Sequence, residues 1–296
     1  MSLFHKIVSN TIDYVPSNIV SIFAKKYIAG AYLEDALNLT KAFNQNGIMS
    51  TIDVLGEDVK KIEEANFYKN ECIKVLEEIK SNNLNANLSL KPTQMGFALS
   101  KSLGFNNIRE IVKRAYDLDN FVRIDMENSP YTTDTIEMYK QLRKEFGQHV
   151  GTVLQAYMRR TIDDIEYLSD DQMNIRLCKG IYIEPEKIAY KNRDIIVENY
   201  KYCLEELFKK KAYVGIATHD EKLVFYAMKL IKDYNLHTNE YEFQMLLGVG
   251  ENLKQFILDK NHRLRIYVPY GIQWLAYAKR RLKENPNMIK TALHLG

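Results

Sequence analysis

Eight short apolar stretches recur along this chain, at 48–55, 86–90, 121–126, 149–157, 174–180, 213–218, 241–246 and 264–268. Between them run longer segments rich in Lys, Glu and Leu, such as 67–80, 133–146, 187–209 and 222–234. Strand-length runs that alternate with crossover-length helical segments are the signature of repeated βα units. Eight such units predict an α/β chain folded as a (β/α)8 TIM barrel. A length of 296 residues suits one such domain, and no Pro/Gly/Ser-rich linker or low-complexity tract divides it. The expected organisation is a helical N-terminal arm over 1–45 and a barrel over 46–296. In the arm, Ile19, Val20, Ile22 and Phe23 and then Leu33, Ala36, Leu37 and Leu39 fall at helical spacings.

Composition removes several functions. With 41 basic against 38 acidic residues the net charge is only +3, too balanced for a nucleic-acid binder. Cys72, Cys178 and Cys203 are odd in number and far apart, so neither a disulfide framework nor a zinc site is indicated, which fits a reducing cytoplasm. Lys6, Asp13, Pro16, Lys25 and Lys26 interrupt the first thirty residues well short of the roughly 18 apolar residues of a membrane span. The expected location is the cytoplasm, with peripheral contact on the inner face of the cell membrane as the most that the arm could support. There is no His-x-His and no early cluster of His with carboxylates, so no metal is expected. Gly248-Val249-Gly250 puts Leu253 where a dinucleotide fingerprint needs its third glycine, which leaves that signal weak.

In a barrel, functional groups collect at the C-terminal ends of the strands. The ends here carry Lys91, then Asp125 and Glu127 around Met126, then Gln155 and Tyr157. Further on come Arg176, Lys179 and Tyr182, then Thr218, His219 and Asp220, then Glu242 and Gln244, and finally Tyr267. Any one of these reads as a structural ion pair, but charges at so many strand ends must be paired or bound to a ligand. After the last strand a helix is predicted from Gly271 to Glu284, with Trp274, Tyr277, Arg281 and Glu284 along one side and Arg280 one step round. That face is either solvated or a clamp, because two guanidiniums can hold a carboxylate by bidentate, charge-assisted hydrogen bonds. From the residues alone, Lys91 or Lys179 could also form a Schiff base, as in a barrel aldolase or lyase.

Seven stretches together resemble the flavin-dependent proline dehydrogenases, in their short monofunctional bacterial form. They are Leu90-Lys91-Pro92-Thr93-Gln94-Met95-Gly96, Arg123-Ile124-Asp125-Met126-Glu127, Leu154-Gln155-Ala156-Tyr157, Arg176-Leu177-Cys178-Lys179-Gly180-Ile181-Tyr182, Ala217-Thr218-His219-Asp220, Tyr241-Glu242-Phe243-Gln244-Met245-Leu246 and the closing segment 267–284. The resemblance implies an FAD enzyme that oxidises L-proline to 1-pyrroline-5-carboxylate, on a distorted barrel whose last helix lies over the strand C-terminal ends. It implies Met126, Gln155, Arg176, Lys179, Gly180, Ile181, Thr218, His219 and Gln244 around FAD, with Arg176 near flavin N5. It implies Asp125, Lys91, Tyr182, Leu246, Tyr267, Tyr277, Arg280 and Arg281 around the substrate, and Glu284 as the arginines' partner in a lid ion pair. A quinone acceptor and a separate pyrroline-5-carboxylate dehydrogenase would complete the pathway, since the chain ends at Gly296 with no aldehyde dehydrogenase segment. Two positions depart from the family pattern: Ile181 stands where much of the family has alanine, and Ile183 where bifunctional relatives carry tryptophan. A catalytically dead barrel that only binds ligand is the reading from another class.

Overall fold

The computed structural model describes Val20 and residues 26–56, 59–169, 172–275 and 277–279. Eight parallel strands close into a barrel in sequence order: β1 (Met49–Val54), β2 (Ala86–Leu90), β3 (Val122–Ile124), β4 (Val150–Gln155), β5 (Asn174–Cys178), β6 (Tyr213–Ala217), β7 (Tyr241–Leu246) and β8 (Leu264–Tyr270). β8 returns to pair with β1, Thr51 lying opposite Tyr267. Every expected stretch is a strand, with ends that differ by a few residues. The stretch 174–180 leaves the ladder at Cys178, where the chain must turn over the barrel mouth, although Lys179 O still accepts from Tyr157 N at 2.8 Å.

Helices α1 (Leu33–Gln45), α2 (Ile62–Ser81), α3 (Lys101–Asp117), α4 (Ser129–Phe146), α5 (Thr161–Tyr167), α6 (Arg193–Lys209), α7 (Glu221–Asp233) and α8 (Glu251–Asp259) surround the strands. Their starts are written in the sequence. Asn192 accepts from Asp194 N at the head of α6, Asp220 accepts from Lys222 N at the head of α7, and Pro130 occupies the first turn of α4.

Inside the strands apolar and polar residues alternate, as in Ile52-Asp53-Val54, Leu88-Ser89-Leu90, Ile175-Arg176-Leu177 and Ile266-Tyr267-Val268. The outward set, including Ile52, Leu88, Ile124, Leu177, Phe243 and Ile266, is fully buried in the main apolar core. Each such side chain contributes roughly 1.5–3 kcal/mol on burial. The other set fills the barrel with polar groups that must satisfy one another. Thr51 donates to Asn87 Oδ1 at 2.6 Å, Arg123 Nη1 donates to the carbonyls of Thr152 and Asn174, and Arg265 pairs with Glu242 at 2.6 Å.

The Glu242–Arg265 pair carries a pH signature. Burial works against ionisation of Glu242, but Arg265, Tyr213 and Gln244 outweigh it and bring the carboxyl from 4.5 down to about 2. A carboxyl depressed on folding stabilises above its unfolded value, and that contribution is lost as pH falls toward the folded one. Denaturant melts from pH 6 to 2.5 will show wild type losing stability below about 4.5 faster than Glu242→Gln, whose side chain cannot titrate. A constant difference between the two proteins would remove Glu242 from this role.

One placement distinguishes this barrel. α1 packs on the outer faces of β1 and β8, the seam that a helix following β8 would otherwise cover. Ala29 N donates to Pro269 O at 2.9 Å and Gly271 N to Gly30 O at 3.0 Å, fixing the approach to α1 against the end of β8. Beyond Gly271, the helical residues Trp274, Leu275, Tyr277 and Ala278 pack with Tyr27, Ile28, Leu55 and Val249, over the strand ends. The last helix thus lies over the barrel mouth, as expected, for the part described. Arg280, Arg281 and Glu284, like Ile19, Ile22 and Phe23, lie outside the described residues. Among the described residues no helix is long and apolar enough to cross a membrane.

Candidate active site

A cavity of about 570 Å³ opens at the C-terminal ends of the strands. Its floor is a cluster of charged and hydroxyl groups drawn from β1, β2, β3, β5 and β8. Lys91 Nζ lies 3.0 Å from Asp53 Oδ1 and 3.5 Å from Asp125 Oδ2. Asp125 Oδ1 accepts from Arg176 Nη1 and from Ser89 Oγ, each at 2.7 Å, while Asp125 Oδ2 accepts from the Tyr267 hydroxyl at 2.9 Å. The Arg176 guanidinium sits 5.3 Å from the Tyr267 ring centroid, within cation–π range. Two cations thus face two carboxylates with little of any of the four side chains exposed, and the balance is what makes the burial tolerable.

The two carboxyls differ in environment. Burial opposes ionisation of Asp125, but Arg176, Lys91, Ser89 and Tyr267 together overcome it and hold its carboxyl below the usual range. At Asp53, wholly buried, desolvation prevails over Lys91 and pushes the carboxyl up. Burial, with Asp125 and Asp53 nearby, pushes the Tyr267 phenol well above its ordinary value, so it remains a neutral donor to Asp125.

The walls come from the loops after the strands. Lys179 is paired with Asp220 at 2.6 Å, and Asp220 is held below its ordinary range: burial opposes ionisation, but the Lys179 contact and the backbone N–H groups of α7 prevail. His219 Nε2 accepts from Leu246 N at 2.9 Å, a bond that requires a lone pair there and so puts the ring proton on Nδ1. Gly180 has φ +105°, and a Cβ on it would run into the Tyr157 ring, so the strand-to-loop turn needs glycine. Two buried carboxylates tie strand-end loops together: Glu127, after β3, accepts from Thr93 N and Oγ1 after β2, and Glu184, after β5, accepts from Ser129 N and Oγ after β3. Gly180→Ala is expected to displace the segment carrying Lys179 to Tyr182, costing roughly 1–3 kcal/mol in thermal stability. A variant that melts with wild type would mean that the turn tolerates a side chain.

A family model described as proline dehydrogenase matches residues 36–292. The chain belongs to the proline dehydrogenase family. It is 34% identical to proline dehydrogenase 1 of Bacillus subtilis (strain 168), over 89% of this chain and 87% of that one. To the proline dehydrogenase of Deinococcus radiodurans it is 32% identical, over 89% of this chain and 86% of the relative. A crystal structure of proline utilization A from Bdellovibrio bacteriovorus, inactivated by N-propargylglycine, superposes with a TM-score of 0.84 at 25% identity. The match covers 92% of this chain and 33% of that protein, so the present chain spans a third of it.

The family motifs converge. Among the predicted residues the structure describes, Lys91, Asp125, Met126, Gln155, Arg176, Lys179, Gly180, Ile181, Tyr182, Thr218, His219, Gln244, Leu246, Tyr267 and Tyr277 all line the one cavity. Arg280, Arg281 and Glu284 lie outside the described residues. Glu242, a strand-end candidate by sequence, is 1% exposed and pairs with Arg265 beneath the cavity, not in its lining. Sequence reasoning missed Asp53 and Ser89, which hold Lys91 and Asp125; the available signal was a polar residue between two apolar ones within each strand.

Proposed function

We propose that this chain oxidises L-proline to 1-pyrroline-5-carboxylate with FAD as cofactor and passes the electrons to a quinone. When bound, FAD would supply a two-electron acceptor for the hydride that leaves proline C5. The observation that carries the reading is that the residues implied by the family resemblance, where described, share one cavity above a charge-balanced floor.

The donor set fits FAD. A second cavity, of about 610 Å³, adjoins the first through Lys179, Gly180 and Asp220 and is lined by Arg193, Lys201 and Lys222 beside the first turn of α6. A long ligand with an aromatic ring system and phosphates needs apolar walls followed by cations; the first cavity has the walls and the second the cations, which stand there beside Asp194 and Glu198. We assign Met126, Gln155, Lys179, Gly180, Ile181, Thr218, His219 and Gln244 to holding FAD. Arg176 would place fixed positive charge where negative charge develops, with Asp125 holding its orientation. Lys91, Arg280 and Arg281 would take the proline carboxylate, while Tyr182, Leu246, Tyr267 and Tyr277 pack the ring. Glu284 would pair with the arginines and keep the last helix closed. Proline need only bind with its amine deprotonated, so no side chain has to act as a strong base. The arm, 1–45, and the barrel, 46–296, would be the chain's two parts. The next oxidation would fall to a separate pyrroline-5-carboxylate dehydrogenase, with the chain working in the cytoplasm or peripherally on the membrane that holds the quinone.

Schiff-base chemistry is disfavoured by geometry. It needs a deprotonated, desolvated amine, whereas Lys91 lies between Asp53 and Asp125 and Lys179 is paired with Asp220. The purified protein is expected to be yellow and to bleach when L-proline is added without air. A colourless protein that takes up no FAD on incubation would sink the proposal.

Tyr267 offers a test of substrate placement. Its ring lines the cavity and its hydroxyl is committed to Asp125, so a 4-hydroxyl on the substrate ring would meet an aromatic wall without a partner. Such a mismatch costs on the order of 1–3 kcal/mol. Tyr267→Ser should lower kcat/KM for proline more than for 4-hydroxyproline; an unchanged ratio would show that Tyr267 does not face the ring.

A further inference from the structure

The Arg176 edge away from Asp125 is set by side chains on β6, β7 and β8. Gln244 Oε1 accepts from Arg176 Nε at 2.5 Å, and Gln244 Nε2 donates to Glu242 Oε1 at 2.6 Å. A primary amide can turn end for end with little change of shape, so it keeps one orientation only when its neighbours distinguish the two ends. Ionised Glu242 can only accept and therefore claims the NH2 end, leaving the carbonyl for the guanidinium. Glu242 is in turn gripped by Arg265, whose Nε and Nη2 reach its two oxygens at 2.6 and 3.0 Å, and by the Tyr213 hydroxyl at 2.7 Å. Arg265 also cancels the carboxylate's charge, so no net negative charge is brought up beneath Arg176. Room for the amide comes from Gly215, which pairs with Glu242 across the β6–β7 ladder; a Cβ there would collide with the Gln244 side-chain nitrogen. Neither Glu242 nor Arg265 nor Tyr213 lines the cavity, so none is placed to touch a ligand in it.

We propose that Glu242 is a positioning residue: it fixes the orientation of the Gln244 amide and, through it, the angle at which Arg176 is presented to the cofactor. The proposal rests on the FAD reading above. A merely structural Glu242–Arg265 pair predicts a loss of stability and nothing else. Orientation through Gln244 predicts a change at the flavin as well, because one hydrogen bond to Arg176 depends on which end of the amide faces it.

The experiment uses the FAD-loaded full chain. In Glu242→Gln combined with Arg265→Gln, which removes both charges of the pair and so leaves no net charge beneath Arg176, the midpoint potential of the bound flavin should fall. Bleaching at saturating proline should slow on the order of tenfold, the scale of a small misplacement in a site, while the half-saturating proline concentration moves less than twofold. If that variant does not fold, Gly215→Ala, whose Cβ would press on the Gln244 amide without changing any charge, is read the same way. The deciding arm is a cycle with Gln244→Met: in that background the Glu242→Gln, Arg265→Gln double replacement should still lower Tm but leave potential and bleaching rate where Gln244→Met alone puts them. A wild-type potential in the flavin-loaded double variant, or effects on potential that simply add in the cycle, would overturn the proposal. Failure of the FAD reading is distinct, since it would show as absence of flavin in the wild type.

Discussion

Replacing Arg176 with methionine is expected to be the most damaging single change in the floor of the cavity. Asp125 would lose its 2.7 Å partner and Gln244 Oε1 its donor, inside a region that Asp53, Ser89 and Tyr267 keep crowded with other polar groups. Removing one member of a buried pair costs roughly 3–5 kcal/mol, and the lower figure applies because Lys91 remains 3.5 Å from Asp125. Two measurements separate stability from function. Chemical denaturation should show the loss, and adding Asp125→Asn should recover part of it by neutralising the stranded carboxylate. Under the FAD proposal, any flavin-loaded Arg176→Met protein should have a lower midpoint potential and slower reduction by proline, which Asp125→Asn does not repair. An unchanged potential would remove Arg176 from the cofactor's environment.

The second large effect concerns Lys91. With Lys91→Met, Asp53 loses its only ion-pair partner in the described structure and is left wholly buried, where desolvation already pushes its carboxyl up. Without that cation, desolvation meets less opposition and the carboxyl rises further. Breaking a buried ion pair by removing one partner costs roughly 3–5 kcal/mol. A raised carboxyl pKa leaves stability intact below the unfolded value and erodes it as pH rises toward the folded one. The gap between Lys91→Met and wild type should therefore be widest near neutrality and close as pH falls toward 4. A gap of constant size would mean that Asp53 is not the group responding. The same variant should raise KM for proline if Lys91 helps to take the carboxylate.

The barrel was legible because each strand is a short apolar run between breakers, and because polar residues at strand ends have few other reasons to gather. Lys91, Asp125, Arg176 and Tyr267 could be found in that way. Asp53 and Ser89 could not, since their importance lies in partners on other strands, Lys91 for Asp53 and Asp125 for Ser89. Glu242 and Gln244 looked equivalent, two residues apart on β7. The structure separates them by depth: Gln244 reaches the cavity and Glu242 is spent on Arg265. Nor could helical spacing in 33–45 reveal that α1 would cover the seam between β1 and β8. An amphipathic face says that something must be covered, not which neighbour will do it.

That seam bears on how the chain is made. α1 and β1 emerge from the ribosome early, but the strand that completes their shelter, β8, begins only at Leu264. At ~5–20 residues per second, the gap from α1 to β8 corresponds to roughly 10–40 s of synthesis. Throughout that interval the inner face of α1, with Leu33 and Ala36, lacks its packing against β8, and one edge of β1 has no partner. The nascent chain therefore exposes that face and that edge to aggregation and proteolysis until β8 has been made. Its barrel can close only when the two ends of the sheet meet.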